Sequence, residues 1–211
     1  MSPPFLKTHP NFTQNERPDY LPMKKTPLMM SVVAAALLAL SRAPVFAEPT
    51  PGVLSLRFSE VEYLHRWAKE EQHEFTPRGQ EDLEHWTDMV TINYYRDAKD
   101  GEKLAAMANA VLENYKNDRA KILRTDAVPR TPVKPTEYLL VAVLGRPDFL
   151  EAAFARFVLI NGVGLSVVYC HREYGNAVGD QMSAWLQKNG PATEKALMGQ
   201  TNIPLLDAAK M

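Results

Sequence analysis

The residues of this 211-residue chain that could do chemistry are its single cysteine, its five histidines and a polar run between Pro77 and Met89. Cys170 and His171 stand side by side, and a thiol beside an imidazole suggests a nucleophile with its base. They lie in an alternating apolar segment, however, where successive residues of a strand point to opposite faces. A dyad of these two is excluded on that ground. Cys170 then reads as a small buried residue of a sheet face, and His171 as a polar residue at a sheet edge beside Arg172.

His65, His73 and His85 could be imagined around a metal with Glu74 or Asp88. None has the close i, i+4 or paired Cys/His spacing that marks such sites, so no metal and no cofactor is expected. Gly162-Val163-Gly164 lacks the third glycine of a nucleotide fingerprint and joins two strands instead of opening a helix, so it reads as a hairpin turn. The stretch HEFTPRGQEDLEHWTDM, residues 73–89, is more informative. It gathers Arg78, Gln80, Glu81, Asp82, His85, Trp86 and Asp88 in a connection too polar for a core, and connections carry function more often than the elements they join. Arg78, Gln80, Asp82, His85, Trp86 and Asp88 are therefore the candidate binding residues. The plainer alternative is a solvated turn in which Trp86 plugs the core.

These residues need elements to position them. Residues 59–76 support a helix, through Ser59 and Glu62 as a capping box, or a hairpin, through the aromatic and branched residues around Tyr63 and Trp67. The hairpin is the expectation, because the rest of the chain builds a sheet that can accept it. Residues 89–96 alternate, with Val90, Ile92 and Tyr94 on one side and Thr91 and Asn93 on the other, as in a half-buried strand. After Asp100-Gly101, Leu104, Met107, Ala108, Val111, Leu112 and Tyr115 form one apolar helical stripe. Strands are expected at 121–125 and 138–144, with a proline-marked loop between them. Asn161-Gly162 between two apolar runs calls for a type I′ turn, which pairs Val158 with Leu165, Arg156 with Val167, Phe154 with Tyr169, Ala152 with His171 and Glu151 with Arg172. A last helix near 178–188 should stop at Asn189-Gly190-Pro191, ahead of a short helical turn at 192–198 and a frayed tail.

The fold class is thus α+β, a single antiparallel sheet domain with flanking helices. Its element order resembles the Mog1/PsbP-like sandwich over most of residues 59–190, without a family-specific motif. That resemblance implies a binding or accessory protein, including exported ones that serve larger assemblies.

The N-terminal region bears on location. LMMSVVAAALLAL, residues 28–40, is too short for the roughly 20 apolar residues of a membrane span. With Lys24 and Lys25 before it and Val45-Phe46-Ala47 after it, it matches a secretory signal cut after Ala47. Residues 23–47 are read as that signal, and 1–22 as a gene-start artefact or an extended n-region. An extended leader is expected at 48–58, one globular domain at 59–199 and a C-terminal tail at 200–211. Residues 1–47 hold five of the 24 Lys and Arg and two of the 25 Asp and Glu, which leaves 19 basic against 23 acidic groups. A mildly acidic domain without a basic run has no electrostatic footprint for nucleic acid or anionic lipid. Membrane contact is expected only during export, and the lone Cys170 gives no disulfide framework.

The sequence supports two functions. One is an exported, periplasmic or secreted, non-catalytic protein that binds an unidentified protein or small ligand through the 76–88 connection and one sheet face, an inhibitor or immunity protein being one form. The other is a small periplasmic hydrolase using His171 or His85 with nearby carboxylates.

Overall fold

The computed structural model describes residues 54–132 and 134–204. The expected signal at 23–47, the segment before it and most of the leader lie outside the described residues. Within them, the Asn161-Gly162 turn organises the centre. Both residues have positive φ, 51° and 75°, as a type I′ turn requires. The flanking strands β7 (Phe149–Ile160) and β8 (Val163–Tyr174) pair in the expected register, Val158 opposite Leu165 and Ala152 opposite His171.

Around this hairpin the chain builds one eight-stranded antiparallel sheet. The other strands are β1 (Ser55–Phe58), β2 (Val61–Lys69), β3 (Gln72–Pro77), β4 (Asp88–Tyr95), β5 (Lys121–Val128) and β6 (Glu137–Gly145). Their order across the sheet is β1-β2-β3-β4-β8-β7-β6-β5. Residues 61–77 form the hairpin and not the helix. Sheet pairing on both sides of β3 outweighs the local capping signal, since tertiary contacts routinely override propensity. Ser55–Phe58, inside the stretch expected as an extended leader, supply the edge strand β1. Gly164 sits beneath Ala98, where a Cβ would lie 2.6 Å from that residue's own Cβ. Only glycine allows this approach.

Helix α1 (Gly101–Asn117) is capped by the Asp100 carboxylate, which accepts from the Lys103 amide. It packs on β5, β6 and β7, where Leu104, Ala105 and Ala108 meet Leu140, Ala153, Ala155 and Phe157. Helix α2 (Val178–Gly199) covers β7 and β8 on the opposite face, where Met182 and Leu197 join Phe154, Leu165, Val167 and Tyr169. The expected stop at Asn189-Gly190-Pro191 does not occur. Pro191 lies inside one continuous helix, although a proline there removes one hydrogen bond and costs roughly 3 kcal/mol. Burial of Thr193 and Leu197 beyond it, and Arg156 donating to the carbonyls of Leu197 and Gln200 at 3.1 and 2.6 Å, hold the last two turns in place. The tail is not frayed at its start either. Gln200 donates to the Arg57 carbonyl at 2.8 Å, and Ile203 packs on the core.

Candidate functional site

Strand parity assembles a polar cluster from residues far apart in sequence. In β4 the residues Val90, Ile92 and Tyr94 face the α2 side, so Asp88 faces it too. In β8 the same parity brings Tyr169 and His171 to that side, and Asp88 is the direct partner of His171. The Asp88 Oδ1 accepts from the Tyr169 hydroxyl at 2.6 Å and lies 3.0 Å from His171 Nδ1. His171 Nε2 lies 3.1 Å from Glu173 Oε1. Trp185 of α2 covers the imidazole in a parallel stack, with centroids 4.0 Å apart and planes at 8°.

His171 is therefore not the edge residue expected. Strand β8 lies between β4 and β7, and the residue is buried at 5% exposure. Burial acts to raise the Asp88 carboxyl, but the hydrogen bonds from His171 and Tyr169 outweigh it and hold the group below the ordinary aspartate range. Burial and the Asp88 charge push the Tyr169 phenol far above its usual value. A doubly protonated imidazole donates to both carboxylates. A singly protonated one serves one of them and turns a lone pair toward the other.

Cys170 points to the opposite face, into the core beneath α1. Burial, then the nearby Glu151 carboxylate, push its thiol well above the ordinary range, which makes it a poor nucleophile. The expected opposition of Cys170 and His171 is what the sheet shows.

The connection between β3 and β4 distributes its candidates differently. Gln80 is structural as well as polar: its side-chain oxygen accepts from the amides of Thr87 and Asp88 at 2.8 and 2.9 Å, which sets the entry into β4. Asp82 accepts from the Glu84 amide and meets His85 Nδ1 at 3.1 Å, and both side chains are exposed. Arg78 reaches Glu62 at 3.4 Å from a half-exposed position. Trp86 is core, at 4% exposure beneath the Arg172 guanidinium, 3.7 Å from its ring centre. So Gln80 and Asp88 join the His171 side, whereas Arg78, Asp82 and His85 remain on the outer surface.

The connection is continuous with a second surface that the sequence did not indicate. A bulge at Arg66 puts one extra residue in β2, between the pairs His65 with Phe75 and Trp67 with Glu74. A bulge of this kind re-aims the side chains beyond it, and here it turns Trp67 to the face shared by Glu74, Gln72 and Asn93. Arg66 itself reaches into the connection, donating to Thr76 Oγ1 at 3.1 Å, the Pro77 carbonyl at 3.3 Å and Glu81 at 2.9 Å. On this face α1 covers β5 to β7, and among the described residues no helix covers β2 to β4. Trp67 is 38% exposed there. It borders a cavity of about 360 Å³ with Gln72, Asn93 and Tyr95 at the far end of the same half-face.

Of the three histidines considered for metal, His85 stands apart in the outer connection. His65 and His73 adjoin each other on the α2 side, His65 Nε2 lying 3.2 Å from His73 Nδ1.

No family model matches the sequence, and no curated protein matches it. Among solved structures, the chain is similar to a protein of unknown function from Pseudomonas aeruginosa, at TM-score 0.38 and 14% identity over 72% of this chain and 99% of that one. It is similar also to the Ran-binding protein Mog1p of Saccharomyces cerevisiae, at TM-score 0.38 and 12% identity over 70% and 89% of the two chains. A mutant of Mog1 gives TM-score 0.38 and 11% identity over 69% and 88%. The likeness is weak and one of fold alone.

Proposed function

We propose that this chain is an exported, non-catalytic binding protein that engages a protein or small ligand through the 78–88 connection and the adjoining helix-free half of the sheet. The observation that carries the reading is the condition of His171. Both ring nitrogens are occupied by carboxylates, Trp185 covers one ring face, and the side chain is only 7% exposed. A general base needs a nitrogen within reach of the proton it removes, and this imidazole has none to offer. The neighbouring hydroxyl, Tyr169, is bonded to Asp88 and held protonated, and Cys170 faces away. The hydrolase reading therefore lacks both base and nucleophile at His171, and His85 sits exposed with Asp82 alone.

The binding reading draws on the opposite kind of surface. Trp67, Arg78 and His85 are presented to solvent on a rigid support, and exposed aromatic and arginine side chains are the groups that most often anchor interfaces. The mildly acidic charge of the domain argues against nucleic acid, and the signal-like segment at 23–47 supports export, with membrane contact confined to that step.

The test is capture from periplasmic extract by the immobilised protein. The Arg78→Ala/His85→Ala double variant should lose most of what the wild type retains while keeping its melting temperature. Unchanged retention by that variant, together with an activity that disappears in His171→Ala, would replace the binding reading with the hydrolase.

A further inference from the structure

A chain of contacts links the His65 and His73 pair to the C-terminal segment. The two imidazoles share one N–H across 3.2 Å. His73 is buried at 1% exposure and stands perpendicular to the Tyr94 ring, with centroids 5.7 Å apart and planes at 87°. The Tyr94 hydroxyl donates to the carbonyl of Pro204, and the adjacent Ile203 packs on the core. Four residues thus run in sequence from a titratable pair to the segment 201–204.

We propose that the His65 and His73 pair is an acid-sensitive latch, which holds residues 201–204 on the sheet while the imidazoles share one proton and releases them when the pair takes up more.

The surroundings decide the direction. On this face β1 brings Leu56 and Phe58, β3 brings Phe75 and β4 brings Ile92 and Tyr94. Tyr63 of β2 lies beside His65, and burial with the Asp88 charge keeps its phenol protonated. Residues 200–204, Gln-Thr-Asn-Ile-Pro, carry no charge. Among the described residues, the carboxylate that acts on His73 is Glu71, in the β2–β3 turn, which opposes the effect of burial but is itself paired with Arg96 at 2.6 Å. Burial lowers both imidazoles, and the two repel each other's charge. A second added proton sets N–H against N–H across the gap. Because the latched form binds protons less readily than a released form with ordinary imidazoles, the latch is complete above the ordinary histidine value of about 6.5 and weakens as pH falls below it.

The experiment is a nuclear magnetic resonance titration of the full chain from about pH 7.5 to about pH 5, spanning the ordinary imidazole range. It follows the His65 and His73 ring protons and the Ile203 methyls in one sample. Ile203 should move to its random-coil position in the step that protonates the two rings, while Leu165 in the central strand keeps its shift. The ratio of released to latched forms should rise by up to about a hundredfold per pH unit for two protons, and by about tenfold in the His65→Gln variant, where one remains. Tyr94→Phe should release Ile203 already at neutral pH. Rings that protonate while Ile203 stays in place would overturn the latch, as would release that persists in a His65→Gln/His73→Gln protein. Should a variant fail to fold, the wild-type titration decides, because ring and methyl steps in separate pH ranges overturn the proposal without any substitution.

Discussion

Two histidine clusters lie on the same face of one sheet, and they solve the burial of imidazole in opposite ways. At the centre, His171 is held between Asp88 and Glu173 and stacked on Trp185. Toward the β1 edge, His65 and His73 pair with each other among the described residues, with aromatic rings around them and the Glu71 carboxylate paired with Arg96. The first arrangement gives each ring nitrogen a carboxylate partner and ties β4, β8 and α2 together. The second accommodates a neutral pair and penalises charge. The difference shows that a buried histidine is not a functional signal by itself. Its meaning depends on whether the atoms facing it accept or repel the proton.

The comparison breaks most sharply at Trp185. Replacing it by alanine removes the ring that covers His171 and also packs on Tyr169 and Phe154, and a large-to-small change of this kind costs about 3 kcal/mol. Denaturant unfolding should show that loss, whereas an effect within a few tenths of a kcal/mol would mean that the stack contributes little. Asp88→Asn should cost less, about 2 kcal/mol. The amide oxygen can take the place of Oδ1, where both hydrogen bonds end, but the substitution removes the charge that makes them strong.

The pH dependence of stability separates the clusters without large perturbation. His65 and His73 are lowered in the folded protein, so their contribution is complete above the ordinary imidazole value of about 6.5 and falls as pH drops below it. Asp88 is lowered as well, so its contribution is present above the ordinary aspartate value of about 3.9 and is lost as pH falls through its folded value. Thermal melts across this range should therefore decline in two stages. His65→Gln/His73→Gln should abolish the upper stage alone, and Asp88→Asn should diminish the lower one. A single stage governed by Asp88 would show the histidine pair to be silent.

How much of this was legible beforehand follows the range of the interactions. Asn161-Gly162 fixes a register through two backbone angles, so the whole β7–β8 pairing follows from a dipeptide, as does the separation of Cys170 from His171. The apolar stripe from Leu104 to Tyr115 is equally local. The partnership of Asp88 with His171 is not, because it depends on β8 choosing β4 as its second neighbour across a separation of 83 residues. The hairpin register puts Tyr169 and His171 on one face, whereas Asp88 reads from the sequence as part of the connection ahead of β4. What was missing was the strand order. Pro191 misleads for a related reason, since local rules end a helix there and only the tertiary burial of Leu197 and the Arg156 contact show why it continues. The Arg66 bulge leaves no sequence signal, and with it the exposure of Trp67 and the open half-face beside the 78–88 connection stayed hidden.

The central claim, that the polar cluster at His171 supports the fold while recognition belongs to the outer connection and the open sheet half, is tested most directly by an amide hydrogen-exchange footprint. The protein would be compared free and in complex with whatever it retains from periplasmic extract. Protection on binding should appear at residues 66–74 and 78–87, with exchange at 169–173 and around Trp185 unchanged. Protection centred on 169–173 and Trp185, with the outer connection exchanging as in the free protein, would contradict the account.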